Sequence, residues 1–207
     1  MITTCKLKQT DRTICLRQLG AAMLLAALLV VAPKASSTEL SEILEFSRVS
    51  PPARVAFREE RHNPMFESPL LIEGFLEYLG PGVLGKVIES PFQETFSIEA
   101  GEISMIRDGE VRRLPVKRSK ALETMLSAFE ALLSGDAERL ETVFDYEVSG
   151  EPSDWTIELQ PKSRRIRVHL SSLRLSGDDA GVSKIFIDLS DGEWHVMNIQ
   201  HEVAADD

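Results

Sequence analysis

Residues 70–82 read Leu-Leu-Ile-Glu-Gly-Phe-Leu-Glu-Tyr-Leu-Gly-Pro-Gly. Leu70, Ile72, Leu76 and Tyr78 fall on one parity, with Gly74 inside the set, while Glu73 and Glu77 fall on the other. A period of two marks a half-buried strand, one face to a core and the other to water. Pro81-Gly82 then turns the chain. The same pattern extends in both directions. Upstream, Val55 and Phe57 alternate with Arg58 and Glu60; downstream, Phe92, Phe96 and Ile98 alternate with Gln93, Thr95, Ser97 and Glu99. Ile103 and Met105 lead into Asp108-Gly109, a strong hairpin signal, with Val111 and Leu114 on the return strand.

Helical periodicity interrupts this meander. Leu122, Met125, Leu126, Phe129, Leu132 and Leu133 recur at helical spacing, which predicts a helix over 119–134 that Ser119 can cap and Gly135 ends. Asp136 caps a shorter helix with Leu140, Val143 and Phe144 on its apolar side. An earlier helix is expected over 38–48, capped by Thr38 with Glu39 and Glu42 in its first turn, and Pro51-Pro52 ends it. After the helices, Trp155, Ile157 and Leu159 alternate with Thr156, Glu158 and Gln160. Ile185, Ile187 and Leu189 meet Trp194 and Val196 across Asp191-Gly192. Segment 164–175 fits either element: Ile166, Val168 and Leu170 suit a strand, and Ile166, Leu170 and Leu173 a helix. The order is one helix, five or six strands, two helices, then four or five strands. That is an α+β fold with a mostly antiparallel sheet. So many meandering strands curl into a barrel or half-barrel.

The chain opens differently. Lys6, Lys8, Arg12 and Arg17 precede an apolar run over 19–32, and small residues follow at Ala35-Ser36-Ser37. The run falls short of the roughly 20 residues a membrane span needs, so residues 1–37 read as a cleavable export signal and 38–207 as one domain. Both cysteines, Cys5 and Cys15, lie in the signal. Without residues 1–37, 18 Lys and Arg face 32 Asp and Glu, a net charge of −14. Such a surface disfavours nucleic acid and anionic membranes as partners.

Chemistry is sparse. There is no phosphate-binding glycine loop, no nucleophile elbow and no His-Glu-x-x-His. His195 and His201 share a face without a carboxylate cluster, so neither a metal nor another cofactor is expected. Phe57-Arg58-Glu59-Glu60-Arg61-His62 has the residue types of an acid/base site, yet a sheet face laced with cross-strand ion pairs explains it better. Large apolar residues are plentiful, and a curved sheet with few helices cannot fill its own hollow.

Several pieces resemble the LolA-like family of outer-membrane lipoprotein carriers, and more closely a divergent LolA-related branch. They are Phe57-Arg58-Glu59-Glu60-Arg61, Ser68-Pro69-Leu70, Gly74-Phe75-Leu76-Glu77-Tyr78 with Pro81, Leu132-Leu133-Ser134-Gly135-Asp136, Trp155 to Pro161, Leu173 to Gly177, and Asp191-Gly192. The resemblance implies a half-open antiparallel β-barrel, a single curved sheet with about three helices over its concave side. It also implies a non-enzymatic periplasmic carrier, acylated cargo (a lipoprotein or lipid), and a donor and an acceptor in the inner and outer membranes. A monomer is expected. The acyl cavity is expected at Phe57, Ile72, Leu76, Tyr78, Phe92, Phe96, Met105 and Trp155, under a lid helix presenting Leu122, Met125, Leu126, Phe129 and Leu133. One departure stands out: Gly80 occupies the position before Pro81 where the family has an arginine that latches the lid. A lipid-sensing periplasmic regulator that binds a membrane partner is the alternative.

Overall fold

A computed structural model describes residues 40–200. The export segment, the start of the first helix at Thr38 and Glu39, and His201 lie outside the described residues. Helix α1 (Leu40–Phe46) precedes six strands: β1 (Ala53–His62), β2 (Leu70–Gly80), β3 (Val83–Ser90), β4 (Glu94–Glu99), β5 (Glu102–Arg107) and β6 (Glu110–Pro115). A single 3₁₀ turn, Val116–Arg118, leads to α2 (Lys120–Ser134) and α3 (Ala137–Val143). Strands β7 (Phe144–Glu151) and β8 (Asp154–Pro161), a one-turn helix α4 (Arg164–Arg167), β9 (Leu170–Asp178), β10 (Gly181–Leu189) and β11 (Trp194–Gln200) complete the chain. The doubtful segment 164–175 thus divides between its two readings. Phe144, expected on the third helix, opens β7 instead.

The local signals act as their chemistry dictates. The Asp136 carboxylate accepts from the Arg139 backbone N–H, 3.0 Å away, and caps α3. Gly135 takes a left-handed φ of 74°, which lets the Asp136 N–H donate to the Ala131 carbonyl at 2.8 Å and stop α2. Asp108 and Gly109, with φ of 51° and 80°, form the two-residue turn between β5 and β6.

All eleven strands form one antiparallel sheet in the order β6-β5-β4-β3-β2-β1-β11-β10-β9-β8-β7. The sheet is not closed: β6 and β7 are its edges. Each edge carries charged residues, Glu110, Arg112 and Arg113 on β6 and Asp145, Glu147 and Glu151 on β7, which discourage pairing with another chain. The helices α2 and α3 connect these opposite edges. Laid flat, eleven strands would separate the edges by about 48 Å, whereas α2 spans about 22 Å. The sheet curls, and the helices cross its inner face.

Register makes that face continuous. Across strands, Phe57 stands opposite Gly74 and Gly74 opposite Ile88; Leu76 opposite Lys86, Lys86 opposite Phe96, and Phe96 opposite Met105. Outward parity carries the expected ion pairs, such as Arg58 Nε to Glu73 at 2.9 Å on facing residues. The buried side splits into two clusters. One joins Leu40, Ile43 and Leu44 of α1, Ala128 and Ala131 of α2 and Leu140 of α3 to Trp155, Ile157, Leu159, Leu173 and Leu175 of the sheet. The other joins Phe57, Ile72, Ile88 and Met197, all from strands, with Leu76, Phe92 and Phe96 packed against them.

Candidate functional site

Two openings flank α2. The larger, about 300 Å³, is lined by Gly82, Leu84 and Ile98 of the sheet side, Gly101, Val116, and Glu123, Leu126, Ser127 and Glu130 of α2, with Arg139 of α3. That volume lies at the lower end of small-molecule sites. The smaller, about 50 Å³, lies on the opposite flank of α2 between Met125, Ala128, Phe129 and Leu132 and the side chains of Phe144, Leu170, Leu173 and Ile187. The rim of the larger groove is held by Arg139. Its Nε donates to Ser127 Oγ at 2.8 Å and its Nη2 to Glu130 at 3.0 Å, so α3 is tied to α2.

The residues expected on the lid face spread over both flanks of α2. Among its described side chains the most buried are Ala128 and Ala131, not the large apolar ones. Small side chains let the helix approach the core closely, and the bulky residues are displaced to its flanks. Leu126 lines the larger groove, Met125 and Phe129 the smaller, and Phe129 keeps 36% of its surface exposed. Leu133 is half-buried, and its carbonyl accepts from the Val49 N–H at 2.9 Å. The Leu122 side chain lies outside the described residues.

Of the eight residues expected to line a cavity, Phe57, Ile72, Leu76, Phe92 and Phe96 come together in the strand-only cluster. Tyr78 and Met105 share their face through the register with Leu84 and Phe96. Trp155 does not join them. It is fully buried in the helix-covered cluster, where its indole N–H donates to the Asp178 carbonyl at 2.9 Å. Its ring packs against Gly177, where an added Cβ would sit 2.6 Å from the indole. At Gly80 the backbone φ is +143°, which an arginine would adopt only under strain. The departure from the latch arginine is therefore built into the backbone.

One feature of the inner face is polar. The Glu59 carboxylate, 1% exposed, accepts from Arg61 Nε at 3.0 Å and from His195 Nδ1 at 3.2 Å, and it also pairs with Lys86 Nζ. Lys86 reaches diagonally over the lane where Gly74 carries no side chain and lies 4.7 Å above the Phe57 ring. Burial pushes the Glu59 carboxyl up, but hydrogen bonds from His195 and Arg61 and the Lys86 charge outweigh it and hold the group well below the usual carboxylate range. Burial, aided by repulsion from Arg61, lowers the Lys86 ammonium below the ordinary lysine value against the pull of Glu59. Glu59 and Arg61 were visible in the sequence as a charged motif. Lys86 and His195 were not connected to it, because they lie 27 and 136 positions from Glu59 and only strand pairing brings them there. A lysine at an inward position of β3, between Leu84 and Ile88, was the available signal. Among the described residues there is no group of three or more candidate metal ligands.

No curated protein matches the chain. Among solved structures it is similar to a LolA superfamily protein from Nitrosomonas europaea, at 9% identity over 79% of this chain and 92% of that one, TM-score 0.42. It is also similar to the lipoprotein LppX from Mycobacterium tuberculosis, at 11% identity over 78% and 93%, TM-score 0.42. A third is the Pseudomonas aeruginosa MucA/MucB complex, at 11% identity over 81% and 59%, TM-score 0.39. The family described as outer membrane lipoprotein carrier protein LolA-like matches residues 32–196, most of the sequence and all but the last few described residues, and the chain belongs to that family.

Proposed function

We propose that this protein is a carrier of acyl chains that shields them against the inner face of its sheet, beside α2, during passage through the periplasm. The observation that carries the reading is the incomplete helical cover. Helices cover the β7–β10 half of the face apart from the small opening beside Phe129, while over β3 and β4 they leave a groove of about 300 Å³ with Leu84, Ile98, Val116 and Leu126 as its apolar walls and Glu123, Ser127, Glu130 and Arg139 as its polar ones. An exposed methylene costs roughly 0.8 kcal/mol in water, so a long chain needs such a shelter. By register Tyr78 stands opposite Leu84, and Leu76 and Phe96 are the next inward positions beyond Tyr78 and Ile98 on the same face. Export by residues 1–37 belongs to the same reading. Among the described residues no helix is long and apolar enough to cross a membrane.

The test begins with the protein purified from its own cells. Its first residue is expected between Ser36 and Glu39, and native mass spectrometry is expected to find a co-purifying acyl lipid. An abundant form that starts at Met1 refutes export. Titration with a fluorescent fatty acid then compares the wild type with Leu76→Glu. Leu76 is only partly buried beside the strand-only cluster, so the variant is expected to fold and to lose binding. Undiminished binding by a folded Leu76→Glu protein removes this position from the site.

A further inference from the structure

The polar cluster does more than hold strands together. We propose that Arg61, Lys86 and His195, arranged around Glu59, form a headgroup site for the carboxylate or phosphate of an anionic amphiphile whose tail lies in the groove beside α2. This deepens the carrier reading and rests on it.

Charge is the first reason. Arg61 and Lys86 face a single carboxylate, which leaves a positive charge over whatever the state of the imidazole. Glu94, the nearest other acid on this face by register, faces its own partner Arg107 at 3.9 Å and does not neutralise that surplus. An unmatched cation is unexpected at the centre of an apolar face in a chain of net charge −10. Donor capacity is the second reason. Arg61 turns Nε and Nη2 to Glu59, and His195 turns Nδ1. Among the described residues Arg61 Nη1 makes no hydrogen bond to protein and is not sealed from solvent, so it is a donor open to an acceptor outside the chain. The side chains of Arg61, Lys86 and His195 are 30%, 22% and 16% exposed, so a ligand reaches them while Glu59 stays buried and fixes their positions.

Position is the third reason. On β3 the next inward residue after Lys86 is Leu84, about 7 Å along the strand. Leu84 lines the groove beside α2. Phe96, opposite Lys86, is likewise followed by the groove residue Ile98. The Lys86 ammonium lies further along, beside Glu59 and over Phe57, so a tail that starts at Leu84 and Ile98 and runs past Leu76 and Phe96 brings its polar end to the cluster. A charged oxygen there completes charge-assisted hydrogen bonds in a partly desolvated place, where they are strong.

Calorimetric titration of the purified, delipidated protein with dodecanoate, dodecyl phosphate, dodecanol and inorganic phosphate tests this. The two amphiphilic anions are expected to bind about tenfold more tightly than dodecanol, with the advantage shrinking as salt is added. Arg61→Gln and Lys86→Met are each expected to narrow the gap between anion and alcohol to below about threefold. If Lys86→Met does not fold, the wild-type comparison and Arg61→Gln, the most exposed member, still decide. Equal binding of dodecanoate and dodecanol overturns the headgroup site and leaves the carrier intact. Inorganic phosphate binding as tightly as dodecyl phosphate also overturns it, because the site then serves free anions. Failure of all three amphiphiles to bind removes the carrier reading and this inference with it.

Discussion

The two halves of the inner face solve the burial problem in different ways. In the β7–β10 half, all four helices pack onto the sheet, and most of the space is filled by Trp155, Ile157, Leu159, Leu173 and Leu175 against Leu40, Ile43, Leu44, Leu140 and Ile166. The only indole there spends its N–H on a neighbouring carbonyl. In the half around β1–β4, Phe57, Ile72 and Ile88 are equally buried without any helix residue in their cluster, and a carboxylate with three basic partners stands among them. Curling of the sheet replaces helical cover, and it leaves room for charge. Under the proposed function, the first half supplies stability and the second recognition.

The strongest challenge to that contrast is Trp155→Ala. It removes the largest side chain of the sealed half and is expected to cost about 3–5 kcal/mol in urea unfolding. A loss below about 1 kcal/mol would mean that this half is loose as well. Glu59→Gln comes next. It leaves Lys86 and Arg61 without their counter-charge and is expected to cost on the order of 3 kcal/mol. The same variant sharpens the comparison through pH. Because the folded-state pKa of Glu59 is depressed, its contribution is present above the ordinary value of 4.5 and is lost as pH falls below it. Thermal melts of the wild type are expected to fall in that acid window, and those of Glu59→Gln to fall less. Equal slopes would show that Glu59 contributes no pH-linked stability. The smallest effect is expected at Phe129→Ala. Its ring is partly in solvent at the smaller opening, so the loss is expected near 1 kcal/mol, well under the cost of a sealed phenylalanine. A loss of 3 kcal/mol would make α2 part of the fixed core.

Much of this architecture was legible because alternation and turn chemistry are local. Leu70 to Tyr78, Asp108-Gly109 and the cap at Asp136 each specify their element within a few residues. Strand β3 was harder: Val83, Leu84, Gly85, Lys86, Val87 and Ile88 put apolar residues on both parities. On α2 apolar bulk does not mark the most buried side: close approach favours Ala128 and Ala131 and leaves Leu126 and Phe129 for the openings. The likeness of Trp155 to the other aromatic residues concealed that it lies in the other half, since parity fixes a side chain's face and not its distance along the sheet. The polar cluster was half visible, as Glu59 and Arg61, because its other members arrive through pairings far apart in sequence.

The order of strands places β1 against β11 in the middle of the sheet. Facing residues Phe57 and Ile199 are separated by nearly the whole described chain. Strands β1 to β6 form one run of successive hairpins and β7 to β11 another, joined by the helices. Among the strand pairings, all the others being between successive strands, the long-range closure therefore resides in a single seam. The Glu59–His195 hydrogen bond crosses that seam between adjacent strands. The two meanders can each gain their local pairings early, but the cluster of Arg61, Lys86 and His195 around Glu59 exists only when both ends of the domain have met.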